Sequence, residues 1–190
     1  MPDATDLRAG DGVLVVDVQN DFCPGGALPV PDGDAVVPLL NAWMAAAAEH
    51  ERPVYVSRDW HPGTHPSFEA QGGPWPPHCL QDTAGAAFHP DLAVPTGARI
   101  VTKGVRFDED QYSAFDRTGL AAQLARDGVG RLFVGGLALD VCVHASVMGA
   151  REAGIEVVVI EDATRAIDDD RAREAREEMA GAGAVIARAG

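Results

Sequence analysis

Residues 132–154 read LFVGGLALDVCVHASVMGAREAG. Leu132-Phe133-Val134 is a short apolar run without polar alternation, the pattern of a strand covered on both faces. From Val141 to Ala153 the apolar spacing changes to three and four, and Gly154 stands where a helix stops. Asp140 is placed as an N-cap for that helix. A buried strand that turns through a glycine pair into a helix is half of a parallel β-α-β unit, and the same pairing recurs on both sides of it.

Working outward, Val13 to Val16, Val54 to Val56, Arg99 to Val101, Glu156 to Ile160 and Ala184 to Ala187 read as further strands of the same kind. Ala35 to His50, Leu120 to Asp127 and Arg171 to Ala180 carry helix formers, with Asp34 as a candidate N-cap and Gly128 as a stop. The alternation predicts a three-layer α/β/α fold around a six-stranded, mostly parallel sheet, in one domain spanning 1–190. Ligands of such open sheets collect beyond the carboxyl ends of the strands, so a residue's place along its strand becomes functional information. The stretch from Trp60 to Arg99, rich in Pro and Gly, exceeds an ordinary connection and reads as a functional loop.

The formal net charge is -14, from 29 acidic against 15 basic side chains, with no Lys/Arg run. Such a field repels phosphate backbones and anionic lipid surfaces, so neither nucleic acid nor membrane is expected as a partner. Acidic runs such as Asp108-Glu109-Asp110 and Asp168-Asp169-Asp170 are read as solvated faces or helix starts. Three cysteines without CxxC spacing argue against a disulfide framework. With no basic-then-apolar start and no membrane-length apolar stretch, a soluble cytoplasmic protein is expected. Neither GxGxxG nor GxxxxGK[ST] occurs, so a phosphate cradle is missing.

Chemistry gathers at the strand ends. Asp17 closes the first strand, Lys103 follows the third, and Cys142 opens the helix after the fourth. Lys103 is the only lysine; the other 14 of the 15 basic residues are arginine. An ammonium is compact and can be desolvated where a guanidinium fork cannot fit. A thiol near a helix N-terminus and beside a lysine is expected to ionise more easily, with Asp17 moving the proton between thiol and leaving group. After the second strand, Asp59 and His61 share one side of an extended Asp-Trp-His segment, and His78 can close the set from the loop. An Asp with two His suits Zn2+, Mn2+ or Fe2+ with positions left open. His65 is either a further ligand or a residue supporting the ligands, and Cys79, beside His78, points the other way if the segment is extended.

The strings DVQNDF at 17–22, RDWHPGTHPSF at 58–68, GGPWPPHC at 72–79, TKG at 102–104, YSAF at 112–115 and GGLALDVCV at 135–143 resemble the nicotinamidase/pyrazinamidase branch of the isochorismatase-like cysteine hydrolases. The resemblance runs in order over nearly the whole chain. It implies a catalytic triad of Asp17, Lys103 and Cys142, metal ligands Asp59, His61 and His78, and one divalent ion, with Zn2+ placed before Mn2+ or Fe2+. It further implies a cis peptide between Leu137 and Ala138 that aims the N–H groups of Ala138 and Cys142 into an oxyanion hole, with Phe22 and Trp75 as aromatic walls for a pyridine ring. Leu139 and Val141 depart from the ATDYCV that many members carry, at positions that could alter the pocket rim.

The implied activity is hydrolysis of nicotinamide, and of pyrazinamide, to the acid and ammonia through a cysteine thioester, a step of NAD salvage. The implied partner is a small heterocyclic carboxamide, with a homo-oligomer left open. Three rivals stand beside this reading. A metal-independent amidase of the same superfamily acting on carbamoyl or ureido groups would not need DWH with WPPHC. An isochorismatase would not need Cys142. A non-catalytic binding module should have lost one of the triad residues.

Overall fold

A computed structural model describes residue 4 and residues 7–189. Six strands form one parallel sheet in the order β3-β2-β1-β4-β5-β6. The strands are β1 (Asp11–Val16), β2 (Val54–Asp59), β3 (Arg99–Lys103), β4 (Arg131–Leu137), β5 (Glu156–Arg165) and β6 (Val185–Ala187), so all six expected strands are present. Their apolar runs lack alternation because both faces are covered: β1 is buried at every position, and β4 at all but its first.

On one face lies α1 (Val37–Glu49), whose Val37, Leu40, Trp43, Met44 and Ala47 recur at helical spacing and pack on Val13, Val15, Val56 and Phe133. The other face is covered by α2 (Leu120–Arg126), α3 (His144–Glu152) and α4 (Asp169–Gly181), which bury Leu124, Val147, Ala175 and Met179 against Leu14, Val16, Tyr55, Leu132 and Val134. Each Val, Leu or Met side chain among them contributes about 1.5–3 kcal/mol when fully buried.

Two expected caps are corrected. Asp34 lies inside a 3-10 turn, Gly33–Val36, that leads into α1, and its side chain caps nothing. Asp140 lies inside a π-helical turn, Leu139–Val143, that precedes α3. Its carboxylate instead accepts from the N–H groups of Ile167 and Asp168 and ties down the segment entering α4. Asp168 caps α4, accepting from Arg171 N–H.

Strand order reverses between β1 and β4, where an open α/β sheet presents its crevice. Gly136, with φ of +125°, lets β4 approach β1 there, since a Cβ would collide with the Val16 backbone. Polar pairs at the opposite, amino end of the sheet are structural staples. Arg131 grips Asp11 with two hydrogen bonds of 2.8 and 2.7 Å, and Asp127 accepts from Tyr55 and Arg99.

Candidate active site

β1 ends at Val16, and Asp17 turns into the left-handed region with φ of +49°. This aims its carboxylate across the carboxyl edge of the sheet. β2 ends on Asp59 and β3 on Lys103, paired in register, so both side chains stand at the same edge. The π-helical turn after β4 carries Cys142 to that point. Sequence positions 17, 59, 103 and 142 thus meet in one buried cluster.

Lys103 is its centre and is fully buried. Its Nζ lies 2.7 Å from Asp17 Oδ2, 2.7 Å from Asp59 Oδ1 and 3.4 Å from Cys142 Sγ. Ser57 Oγ donates to Asp17 Oδ1 at 2.7 Å, fixing the carboxylate from β2. Burial works to lower the pKa of Lys103, yet the charges of Asp17 and Asp59 override it and hold the ammonium well above its usual range. Asp17 is pushed up by burial, against Lys103 and with added repulsion from Asp59. That is the direction a proton acceptor near neutral pH needs. Burial would also raise Asp59, but Lys103 and His61 outweigh it and hold this carboxylate well below its ordinary range.

The expected easy ionisation of Cys142 is corrected. Burial pushes the thiol well above its usual value, and the opposing pull of Lys103 does not compensate with two carboxylates close by. At this depth burial favours the protonated thiol over the thiolate.

Asp59, His61 and His78 each bring one ligand atom within 4.8 Å of the others, all three residues buried. His61 Nδ1 donates to Gly104 O at 2.9 Å, and His78 Nδ1 to Pro76 O at 2.8 Å, so each ring turns its Nε2 toward the cluster, that of His61 lying 3.7 Å from Asp59 Oδ2. A histidine anchored through one nitrogen and open at the other is arranged as a metal ligand. Burial lowers the pKa of His78, favouring the neutral, ligating form. The donor set suits a divalent metal. His65 stands beside this triangle and outside it. Its ring centroid is 4.1 Å from that of His61, its Nδ1 meets Ser67 Oγ at 2.7 Å, and its buried Nε2 has no partner among the described residues. Burial pushes its pKa down to about 4. Cys79 is buried, but the segment is not extended there: its φ is +46°.

Gly104 explains the third residue of TKG. Its φ is +68°, and a Cβ there would lie 2.6 Å from His61 Nδ1 and closer still to Cε1. Gly104→Ala is expected to displace His61, weaken metal retention at least about tenfold and lower turnover in step, as loss of a group orienting a ligand does. Metal content after gel filtration, with ammonia release, checks this; full metal and full activity would refute it.

A narrow cavity opens onto the cluster, lined by Phe22, Trp75, Tyr112, Ala138 and Cys142, with Asp59, His61 and His78 on its wall. The Leu137–Ala138 peptide is cis, as expected. Val141 lines the cavity, whereas Leu139 is buried in the core away from it. Sequence reasoning missed several contributors. Tyr112 accepts a 3.0 Å hydrogen bond from Trp75 Nε1 and pins that wall; its place in YSAF was the available signal. Asp110, read as part of a solvated run, lines the cavity instead. Gln19 had its place in DVQNDF as the available signal, and Ser57 had none.

The isochorismatase domain model matches residues 11–189. The nicotinamidase of Escherichia coli K12 is 37% identical over 198 residues, covering 92% of this chain and 92% of that one. The chain belongs to the isochorismatase family, in its nicotinamidase branch. Among solved structures, the pyrazinamidase of Pyrococcus horikoshii in complex with zinc superposes with a TM-score of 0.91 at 40% identity, covering 94% of this chain and 99% of its own. The L. infantum protein PnC1 in complex with nicotinate gives 0.85 at 39% identity, covering 94% and 92%. No helix among the described residues is long and apolar enough to cross a membrane.

Proposed function

We infer that this protein is a nicotinamidase, an amidohydrolase that converts nicotinamide, and with it pyrazinamide, to the acid and ammonia. The carrying observation is the junction at Lys103, whose Nζ touches both the Asp17–Cys142 pair and Asp59 of the metal-ligand cluster. Nucleophile and candidate metal site therefore face one cavity, between the aromatic walls Phe22 and Trp75. The L. infantum relative carries nicotinate and the P. horikoshii relative carries zinc, which support the substrate class and Zn2+ as the ion.

The pyridine ring lies between Phe22 and Trp75 with its carboxamide at Cys142. As Sγ attacks the carbonyl carbon, the thiol proton passes to Asp17 and the new S–C bond forms. The oxyanion is received by the N–H groups of Ala138 and Cys142. Asp17 returns the proton to nitrogen, the C–N bond breaks and ammonia leaves. Water then adds to the thioester with Asp17 accepting its proton, the C–S bond breaks, and the acid is released with the thiol restored. Lys103 stays charged throughout and keeps Asp17 from being stranded as an unpaired buried anion. A metal held by Asp59, His61 and His78, with His65 behind them, supplies a Lewis acid for the ring nitrogen and for water.

The cluster of Asp59, His61 and His78 counts against a metal-independent carbamoyl or ureido amidase, and the assembled triad counts against a mere binding module. Ammonia release from nicotinamide, measured before and after chelation and again after Zn2+ is restored, tests substrate and metal together. Turnover lost on chelation and regained with Zn2+ is expected. No turnover at all overturns the substrate, and turnover indifferent to chelation overturns the metal.

A further inference from the structure

The loop after β1 does more than supply Asp17. Two residues on, Gln19 is fully buried, and its carboxamide is spent on the backbone of the sheet edge. Its Oε1 accepts from Asp59 N–H at 2.7 Å, while its Nε2 donates to Asp59 C=O at 2.7 Å and to Ala86 C=O at 2.8 Å.

The need for this follows from the topology. β1 and β2 pair in parallel from Val13 with Val54 to Val15 with Val56, and the last backbone bond between them runs from Asp17 N–H to Ser57 C=O at 3.2 Å. The chain then turns away at Asp17. Asp59, two residues past Ser57, presents its N–H and C=O toward the same side, where a continuing β1 would have bonded them. No backbone is there. The Gln19 side chain takes its place, offering one acceptor and two donors as a short piece of strand would. Without it, two polar groups of the Asp59 backbone would be buried without partners.

We propose that Gln19 is the positioning residue of the metal centre, holding the Asp59 backbone so that its carboxylate reaches both Lys103 and the ligand triangle. This rests on the reading of Asp59, His61 and His78 as metal ligands. The two histidines are oriented by their own bonds to Gly104 and Pro76 carbonyls. The Asp59 carboxylate is held at Oδ1 by Lys103, and the backbone that carries it is held on the β1 side by Gln19. The bond to Ala86 adds the long loop to the same clamp, and an isolated bridge between Gln19 and Phe88 runs alongside it.

A control is built into the same chain. Asn41, on α1 and outside the ligand cluster, makes a similar two-ended clamp on the long loop, its Nδ2 donating to Asp91 O at 2.8 Å and its Oδ1 accepting from Ala93 N at 2.8 Å. The test is the dissociation constant for Zn2+ alone, titrated into metal-stripped protein against a chromophoric chelator, with the melting temperature of the stripped protein read in parallel. Gln19→Met, close in shape and without hydrogen bonds, is expected to weaken Zn2+ binding by about 10–100-fold. Asn41→Leu should lower the melting temperature and leave Zn2+ affinity as in wild type. Should Gln19→Met fail to fold, Gln19→Glu, which keeps the acceptor for Asp59 N–H and loses both donors, carries the same comparison. Equal Zn2+ affinity in wild type and Gln19 variants overturns the proposal, even if the variants melt earlier. Wild-type protein that takes up no Zn2+ overturns the metal reading itself, and this proposal with it.

Discussion

Cys142→Ala is expected to abolish ammonia release from nicotinamide, by at least about 10^4-fold, the scale on which loss of a covalent nucleophile is felt. The fold should be untouched. Cys142 is buried on the turn before α3, and its side chain differs from alanine by one sulfur atom, which lies 3.4 Å from Lys103 Nζ. A change of about 1 kcal/mol, or a few degrees in melting temperature, is the most that such a truncation should bring. Metal uptake should also persist, because Asp59, His61 and His78 keep their anchors. Turnover, melting temperature and bound metal measured on one preparation therefore separate a chemical role from a structural one. Appreciable turnover by Cys142→Ala would sink the thioester path and shift the reaction to direct attack by water.

How far the sequence carries depends on which physical term decides each feature. Strands such as Val13 to Val16 are legible because a parallel sheet covered on both faces demands apolar residues at every position. Where that demand relaxes, the reading stops short: β5 runs on to Arg165 through Glu161, Asp162 and Thr164, past a register shift against β4 at Val134 to Gly136. The strand-end residues are legible because fold class alone says where strand ends meet. The role of Gln19 is not, since it answers a backbone gap that exists only once β1 leaves β2 at Asp17. The long loop declared itself functional by composition, but its path is fixed by bonds to the segment after β1, such as Asn20 N–H to Ala87 O and Asp21 N–H to Gly85 O. The direction in which the Cys142 thiol shifts escapes the sequence for a related reason. Helix polarity and a nearby lysine can be inferred from spacing, whereas the depth of burial that outweighs them is a property of the whole fold.

Replacing the single lysine should be nearly as damaging as removing the nucleophile. Lys103→Arg keeps the charge but must place a planar fork where Asp17, Asp59 and Cys142 offer ligand atoms within 4.8 Å of one another. Asp17, Asp59 or Cys142 has to move, and a displacement of about 1 Å at a reacting group costs on the order of 10^2-fold. Because Cys142, Asp17 and Asp59, the proposed nucleophile, proton carrier and metal ligand, share this one contact, the expected loss in kcat/KM is about 10^3-fold or more. Lys103→Met separates charge from size. In metal-stripped protein it leaves two carboxylates buried together without a cation, a defect of about 3–5 kcal/mol that should lower the melting temperature on the order of 10 °C. The pH dependence has a definite sign. Without Lys103 both carboxyl groups bind protons more tightly in the folded state than in the unfolded chain, so the deficit is full above their folded pKa values and shrinks as pH falls through them. Melting curves of wild type and both variants across the acidic range, with turnover at neutral pH, give the answer. An Arg variant of wild-type activity would mean that any cation serves, and a Met variant whose deficit grows on acidification would mean that Asp17 and Asp59 are not the groups Lys103 holds charged.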